Sequence, residues 1–139
     1  MIDYSNLRKS LSLLQSQFHN YQSLDPSLED WMQEAVQESV IQRFETCYDC
    51  LWKLLKRHLT DEVGLAEVPS GPKPLTRLAA ENKLLSNTVE QWMTYIQARI
   101  DTTHDYSGEK AQAALELMAN FIGDAIDLYQ TMSGTTWEE

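Results

Sequence analysis

Residues 40–59 read VIQRFETCYDCLWKLLKRHL and form the centre of a longer segment, Leu28 to Val63, that contains neither Gly nor Pro. Apolar residues recur along this segment at helical spacing, which predicts one long helix with a continuous buried face. The residues of that face are Trp31, Ala35, Val36, Val40, Phe44, Cys47, Leu51, Leu55 and Leu59. With a rise of about 1.5 Å per residue the helix reaches about 50 Å unless it bends, and Gly64 is its expected stop.

The segment before the long helix carries a single apolar stripe, which predicts a helix from Tyr4 to Leu24. The stripe consists of Leu7, Leu11, Leu14, Phe18 and Tyr21. Asp25 is expected to end this helix, because the residue before a proline is driven out of the helical conformation. Ser27 is the expected cap of the long helix that follows.

Three further features follow the long helix. Residues 66–74 hold three prolines and a glycine, and they are the one long loop signal in the chain. A short helix is predicted over 75–83, and another helix opens at Asn87. The last helix is predicted from Ser107, as its cap, to about Met132. Its buried stripe is Ala111, Ala114, Leu115, Met118, Phe121, Ile122, Ala125 and Tyr129.

These elements predict an all-α fold, an up-and-down four-helix bundle with one additional short helix. Residues 1–132 are expected to form a single domain, because 139 residues suit one domain. Residues 133–139 are expected to form a frayed tail, on which Trp137 is the residue suited to docking. No segment predicts a strand.

The chain is strongly acidic, with 21 Asp and Glu against 11 Lys and Arg and a formal net charge of −10. That balance excludes a uniformly basic nucleic-acid-binding surface, because it repels a polyanion at long range. No apolar run is long enough to cross a membrane, and the first residues lack the features of a signal peptide. We therefore expect a cytoplasmic protein with reduced thiols and no membrane partner.

The sequence gives little support to a metal or cofactor site. Cys47 and Cys50 have the spacing of a redox or metal pair, but a zinc site needs about four ligands and the nearest His is His58. Small residues in or near the core are therefore the favoured interpretation of both cysteines. The chain also lacks the His-Glu-x-x-His motif, a Gly-rich phosphate loop and the Gly-x-Ser-x-Gly motif. We predict no metal and no cofactor.

Lys53, Lys56 and Arg57 form the main positive cluster, and they project from one side of the long helix. The simpler interpretation is a solvated helix face beside Glu45 and Asp49. The alternative is a local patch that contacts phosphate on an otherwise acidic protein. Residue type alone favours the solvated face.

Residues 97–106, QARIDTTHDY, crowd polar and reactive side chains where a helix is ending. Arg99 and His104 are five residues apart, about 140° around an ideal helix, so a regular helix does not aim them at one target. Either the helix unwinds after Arg99 or two chains share the site. The structural alternative is an Arg paired with Asp101 or Asp105 and a His that stabilises the end of the helix. Spacing alone favours neither role.

At this segment the sequence resembles the HEPN-domain family, in which an Arg is followed by a His after four to six residues. It is most similar to the branch of nucleotidyltransferase substrate-binding proteins, helical partners of a minimal nucleotidyltransferase. The resemblance covers nearly the whole chain. Residues 40–45 (VIQRFE) and 51–56 (LWKLLK) match the branch's second helix, and 71–74 (GPKP) leads into the short helix at the matching position.

The resemblance implies a metal-independent endoribonuclease toxin with a symmetric homodimer cleft. His104 would act as general acid and base when a ribose 2′-hydroxyl attacks the neighbouring phosphate, and Arg99 would stabilise the charge that develops there. Many members carry Asn directly after the Arg. Here Ile100 stands in that place, so the polar role either passes to Asp101 or is absent.

Tyr106 completes an Arg-x4-His-x-Tyr pattern, and in similar pairs the partner nucleotidyltransferase transfers AMP from ATP onto this tyrosine. The adduct would place bulk and negative charge beside the cleft and exclude RNA. The resemblance also implies a different function, a non-catalytic substrate-binding or nucleotide-binding subunit of the nucleotidyltransferase. A third alternative is a structural bundle without a site.

Overall fold

The computed structural model describes residues 1–104 and 108–138, and within these ranges the regular elements are all helical. The helices are α1 (Ser5–Gln22), α2 (Asp30–Arg57), α3 (Pro72–Glu81), α4 (Val89–His104) and α5 (Gly108–Ser133). A single π-helical turn, His58–Glu62, continues α2. The prediction of an all-α fold with four main helices and one short helix is confirmed.

The four long helices run up and down, as the contacts between them show. Arg43 of α2 donates to the carbonyl oxygen of Leu13 on α1, while Tyr4 at the start of α1 meets His58 at the end of α2, so the two helices are antiparallel. Arg99 and Thr102 of α4 contact Asp49 and Glu45 of α2 in reverse order, so these two helices are also antiparallel. Ser86, just before α4, binds Asp127 of α5 while Tyr95 binds Asp124, so α4 and α5 are antiparallel as well. Helix α3 packs across α2 and α4.

Phe121 of α5 is the centre of the core. Its ring is fully buried and contacts Phe44 at 4.9 Å and Tyr95 at 5.2 Å between centroids, both in edge-to-face geometry. Trp92 and Tyr48 lie slightly farther from it, each at 6.3 Å. The predicted stripe of α5 is buried along its whole length, which confirms the helical period of that segment.

The beginning of α2 differs from the prediction. Trp31 is 61% exposed and Ala35 is also exposed, so the buried face becomes continuous only from Val40 onward. The indole N–H of Trp31 donates instead to Glu29, the residue in the cap position. Ser27 does not cap α2, because its backbone N–H and its hydroxyl both bind Asp25 within the preceding turn.

The starts of α3 and α4 also differ from the predicted positions. Helix α3 begins at Pro72, three residues before the predicted start, because proline is well tolerated in the first turn, where the helix does not need its N–H. Helix α4 is capped by the Thr88 hydroxyl, which accepts from the N–H of Gln91. The predicted cap of α5, Ser107, lies outside the described residues. None of the described helices is long and apolar enough to cross a membrane.

Candidate functional site

Arg99 of α4 reaches across to α2 and pairs with Asp49 in a bidentate arrangement. Its Nε donates to Asp49 Oδ1 and its Nη2 donates to Asp49 Oδ2, both at 3.1 Å. This is the fork geometry in which a guanidinium presents two parallel N–H donors to one planar anion. The same two donors would suit a phosphate group equally well.

A second carboxylate holds the other side of the guanidinium. Arg99 Nη1 donates to Glu45 Oε2 at 3.0 Å, and the hydroxyl of the buried Thr102 donates to the same oxygen at 3.0 Å. The side chain of Glu45 is only 12% exposed, against 42% for Asp49. Glu45 is therefore the fixed partner of Arg99, and Asp49 is the partner that water and solutes reach.

Helix α4 stays regular through Arg99 and ends at His104. This excludes the expectation that the helix unwinds after Arg99, and it keeps the two side chains about 140° apart around the helix axis. His104 is exposed. Asp101, one turn before the end, accepts a hydrogen bond from Gln97 at 3.0 Å. One chain by itself does not aim Arg99 and His104 at a common target.

A groove opens beside the Arg99–Asp49 pair, between α2, the start of α3 and α4. Its volume is about 470 Å³. Most of its wall is apolar, with Trp52 from α2, Pro74 from α3, and Ile96 and Ile100 from α4. The residues with polar groups that line it are Tyr48, Asp49, Lys73, Arg99 and Thr103. The groove thus joins an apolar wall with an aromatic residue to a guanidinium fork.

The predicted positive cluster is separate from this groove. Lys53 and Arg57 are exposed, and the ammonium group of Lys56 donates to the hydroxyl of Ser70 at 2.9 Å. None of the three lines the groove, whereas Lys73 does. The lysine that lines the groove is therefore not one of the predicted cluster.

The cysteines occupy the positions that the sequence favours. Cys47 is buried, and burial raises the pKa of its thiol to about 12. Cys50 is half-buried, and both thiols are free. Among the described residues no cluster of His, Cys, Asp or Glu is arranged to hold a metal ion. Tyr106, the predicted modification site, lies outside the described residues.

The sequence did not identify Glu45 and Asp49 as partners of Arg99. The structural alternative named Asp101 or Asp105, which are near in sequence, but the bidentate partner is 50 residues away. Asp105 lies outside the described residues. A signal for Glu45 exists, because it falls four residues after Ile41 on a face that is otherwise apolar. An acid at such a position indicates a buried partner, since an unpaired buried charge is costly.

Solved structures with similar folds support the helical architecture. One, from Thermus thermophilus, superposes with a TM-score of 0.75 at 23% identity over 91% of this chain and 98% of that one. Another, from Haemophilus influenzae, is described as showing the fold of a substrate binding domain of a nucleotidyltransferase. It superposes with a TM-score of 0.77 at 23% identity over 94% of this chain and 98% of that one.

The chain is also similar in sequence to known proteins. A Haemophilus influenzae protein named probable ribonuclease HepT is 28% identical over 117 residues, which cover 80% of this chain and 75% of that protein. The family described as nucleotidyltransferase substrate binding protein like matches residues 2–134, nearly the whole chain. The protein therefore belongs to the nucleotidyltransferase substrate binding protein-like family.

Proposed function

We propose that the protein is a metal-independent endoribonuclease whose active cleft forms between two copies of the chain. The observation that carries this proposal is the regular course of α4 through both Arg99 and His104. Because one chain directs these residues to different sides, a two-fold axis is needed to bring His104 of one copy to Arg99 of the other. The likeness to a protein named probable ribonuclease HepT supports the activity.

In this cleft the imidazole of His104 accepts the proton of a ribose 2′-hydroxyl as its oxygen attacks the adjacent phosphorus. The P–O5′ bond breaks, and a protonated His104 returns a proton to the leaving 5′-oxygen. The guanidinium of Arg99 stabilises the charge on the non-bridging phosphoryl oxygens. Asp101 is proposed as a third, polar contributor near the same end of α4. No metal enters these steps.

Regulation by a cognate minimal nucleotidyltransferase is part of the proposal. The hydroxyl oxygen of Tyr106 attacks the α-phosphorus of ATP, pyrophosphate leaves, and the AMP adduct excludes RNA from the cleft. The module is then a toxin and its neutralising enzyme, working in the cytoplasm. The family description, which couples these proteins to a nucleotidyltransferase, supports such a partner. Mass spectrometry after incubation with that partner and ATP should show one added AMP, and Tyr106→Phe should abolish the added mass.

Cleavage of RNA in EDTA tests the activity. The wild-type protein should cleave, while His104→Ala and Arg99→Ala should each lose at least about a hundredfold in rate, as expected for loss of a general acid–base or of charge stabilisation. His19→Ala is the matched control, because His19 is also exposed but lies on α1. Equal rates for the wild type and His104→Ala would contradict the nuclease proposal.

Mixing the two inactive variants tests whether the cleft is shared. A heterodimer of Arg99→Ala and His104→Ala chains retains one intact Arg99–His104 pair across the two-fold axis. After exchange of subunits, activity should return to about a quarter of the wild-type value, because half of the dimers carry one of two sites. No recovery between folded, exchanging chains would contradict a site shared in this way.

The second candidate function is a non-catalytic subunit that binds substrate or nucleotide for the nucleotidyltransferase. It is favoured by the family description and by the engagement of Arg99 with two carboxylates. Under this alternative the two proteins purify together, RNA is not cleaved, and changes at Arg99 alter only the affinity of the complex. Cleavage that depends on His104 excludes it as the sole function.

A further inference from the structure

The groove beside Arg99 has the dimensions and composition of a small-molecule site. Its volume of about 470 Å³ lies within the usual range for ligand pockets. Trp52 is half-buried and lines the groove, and Pro74, Ile96 and Ile100 extend the apolar wall. A flat aromatic group is the ligand that such a wall favours, because base–aromatic stacking depends little on the identity of the base.

The polar edge of the groove is suited to a phosphate. Arg99 directs Nε and Nη2 at Asp49, while Nη1 is held by Glu45 and by the Thr103 hydroxyl. A phosphate that replaced Asp49 would therefore meet a guanidinium that is already oriented, and both donors would stay satisfied. Lys73 also lines the groove.

Asp49 is the partner that can leave at low cost. Its side chain is 42% exposed, so its carboxylate regains water when it separates from Arg99. Glu45 is largely buried and also accepts from Thr102, so it keeps the guanidinium in place during the exchange. An anion without an apolar part gains only the ion pair that Asp49 loses, whereas a nucleotide gains the stacking contact as well.

We propose that this groove binds one nucleotide, with the base against Trp52 and the phosphate in place of Asp49 on the Arg99 fork. The proposal rests on the proposed ribonuclease function in one respect: the nucleotide is taken to belong to the RNA. Asp49 then sets the threshold for binding, because it lowers the affinity of every anion by the same factor and favours ligands that gain the additional contact with Trp52. This selectivity fits a protein whose net charge is −10.

Calorimetric titration of the intact protein measures separately what the base contact and the phosphate contact contribute to affinity. The ligands are a purine nucleoside 5′-monophosphate, the nucleoside alone and inorganic phosphate alone, with the monophosphate expected to bind tightest. Trp52→Leu should weaken both base-containing ligands about tenfold, which is a typical loss for one stacking contact. Trp52→Phe retains an aromatic face and should bind within about threefold of the wild type.

Asp49→Asn should raise the affinity for the monophosphate and for inorganic phosphate about threefold, because it removes an exposed ionic competitor for Arg99. The matched controls are Trp31→Leu, an exposed tryptophan outside the groove, and Glu34→Gln, which removes one exposed acid elsewhere on α2. Neither control should change any affinity. Unchanged binding in Trp52→Leu, or unchanged or weaker phosphate binding in Asp49→Asn, would overturn the proposal.

A short RNA with 2′-O-methyl groups distinguishes this proposal from the nuclease itself, because it binds but has no 2′-hydroxyl to attack. It should compete with the monophosphate and respond to the same two variants. If it competes but natural RNA is not cleaved, the subsite stands and the nuclease proposal fails. If RNA cleavage depends on His104 but is unchanged in Trp52→Leu and Asp49→Asn, this proposal fails. It also fails if the monophosphate binds but the 2′-O-methyl RNA does not compete with it.

Discussion

Arg99 shows how a single residue can be identified from sequence while its environment remains hidden. The Arg-x4-His spacing singled it out, but its partners come from another helix, with Asp49 on the exposed side and Glu45 on the buried side. Partners that are 50 or more residues away depend on how α2 and α4 pack, and no local pattern encodes that register. The sequence therefore predicted Arg99 as a candidate residue, and the packing of the helices determined which carboxylates bind its guanidinium.

His58 gives a prediction at the same scale. Its Nδ1 shares a hydrogen bond of 3.0 Å with the Tyr4 hydroxyl, and burial lowers the pKa of His58 below its ordinary value of 6.5. The unfolded chain therefore binds a proton on His58 before the folded protein does. The stability that His58 contributes is complete above about pH 6.5 and is lost as the pH falls from there through the lower folded pKa.

Urea unfolding at pH 7.5 and at pH 5.0 should accordingly show a larger loss of stability in the wild type than in His58→Gln. Gln keeps a side chain able to bind Tyr4 but has no proton to gain, so carboxylates that titrate in both proteins cancel in the comparison. A loss of the same size in both proteins would show that the His58 ring does not couple folding to pH.

At the scale of the element, the apolar face that the sequence period predicts is the buried face of each helix, except at the beginning of α2. The apolar period of α2 continues back to Trp31, yet the first turns stay exposed, because periodicity predicts which face is apolar and not how far the neighbouring helices extend. The end of α2, in contrast, lies where the local sequence predicts it. Gly64 adopts φ +81° just after the π-helical turn, which fulfils the prediction of a stop at this position.

Two Gly→Ala substitutions should have opposite effects for this reason. Gly64→Ala places a side chain on a left-handed residue and should cost about 1 kcal/mol. Gly123, inside α5, does not have a positive φ, and a methyl group there meets nothing within 4 Å, so Gly123→Ala should stabilise by about 0.5–1 kcal/mol. Denaturant unfolding measures both, and a change of the same sign in the two variants would contradict this account of the helix end.

For the whole molecule, the decisive feature is one shared core. Phe121 joins Phe44 and Tyr48 of α2 to Trp92 and Tyr95 of α4, so the helices that carry Asp49 and Arg99 are held in register by a ring on a third helix. The net charge of −10 acts at the same scale. It opposes the long-range approach of any polyanion, so under the proposed function the contacts with RNA fall to local cations such as Arg99.

Phe121→Ala should destabilise the protein by about 3–5 kcal/mol, because it leaves a cavity at the meeting point of three helices. Phe121→Leu keeps most of the apolar volume and should cost about 1 kcal/mol. Phe18→Ala on α1 is the control, since that ring is only half-buried and its loss should cost less than that of Phe121. Equal losses for the two alanine variants in urea unfolding would argue against Phe121 as the centre of the core.

The sequence by itself determined the helical class, the stripe of α5 and the stop at Gly64, and it singled out Arg99 and His104 as candidate residues. Each of these follows from local rules: the period of side chains along a helix, the conformational freedom of glycine, and the spacing of two reactive residues. Only the tertiary structure decided that Arg99 is held by α2, that Trp52 lines a groove beside it, and that α4 stays regular to His104. Those outcomes depend on contacts between residues far apart in the chain, and such contacts exist only once the core around Phe121 sets the helices against one another.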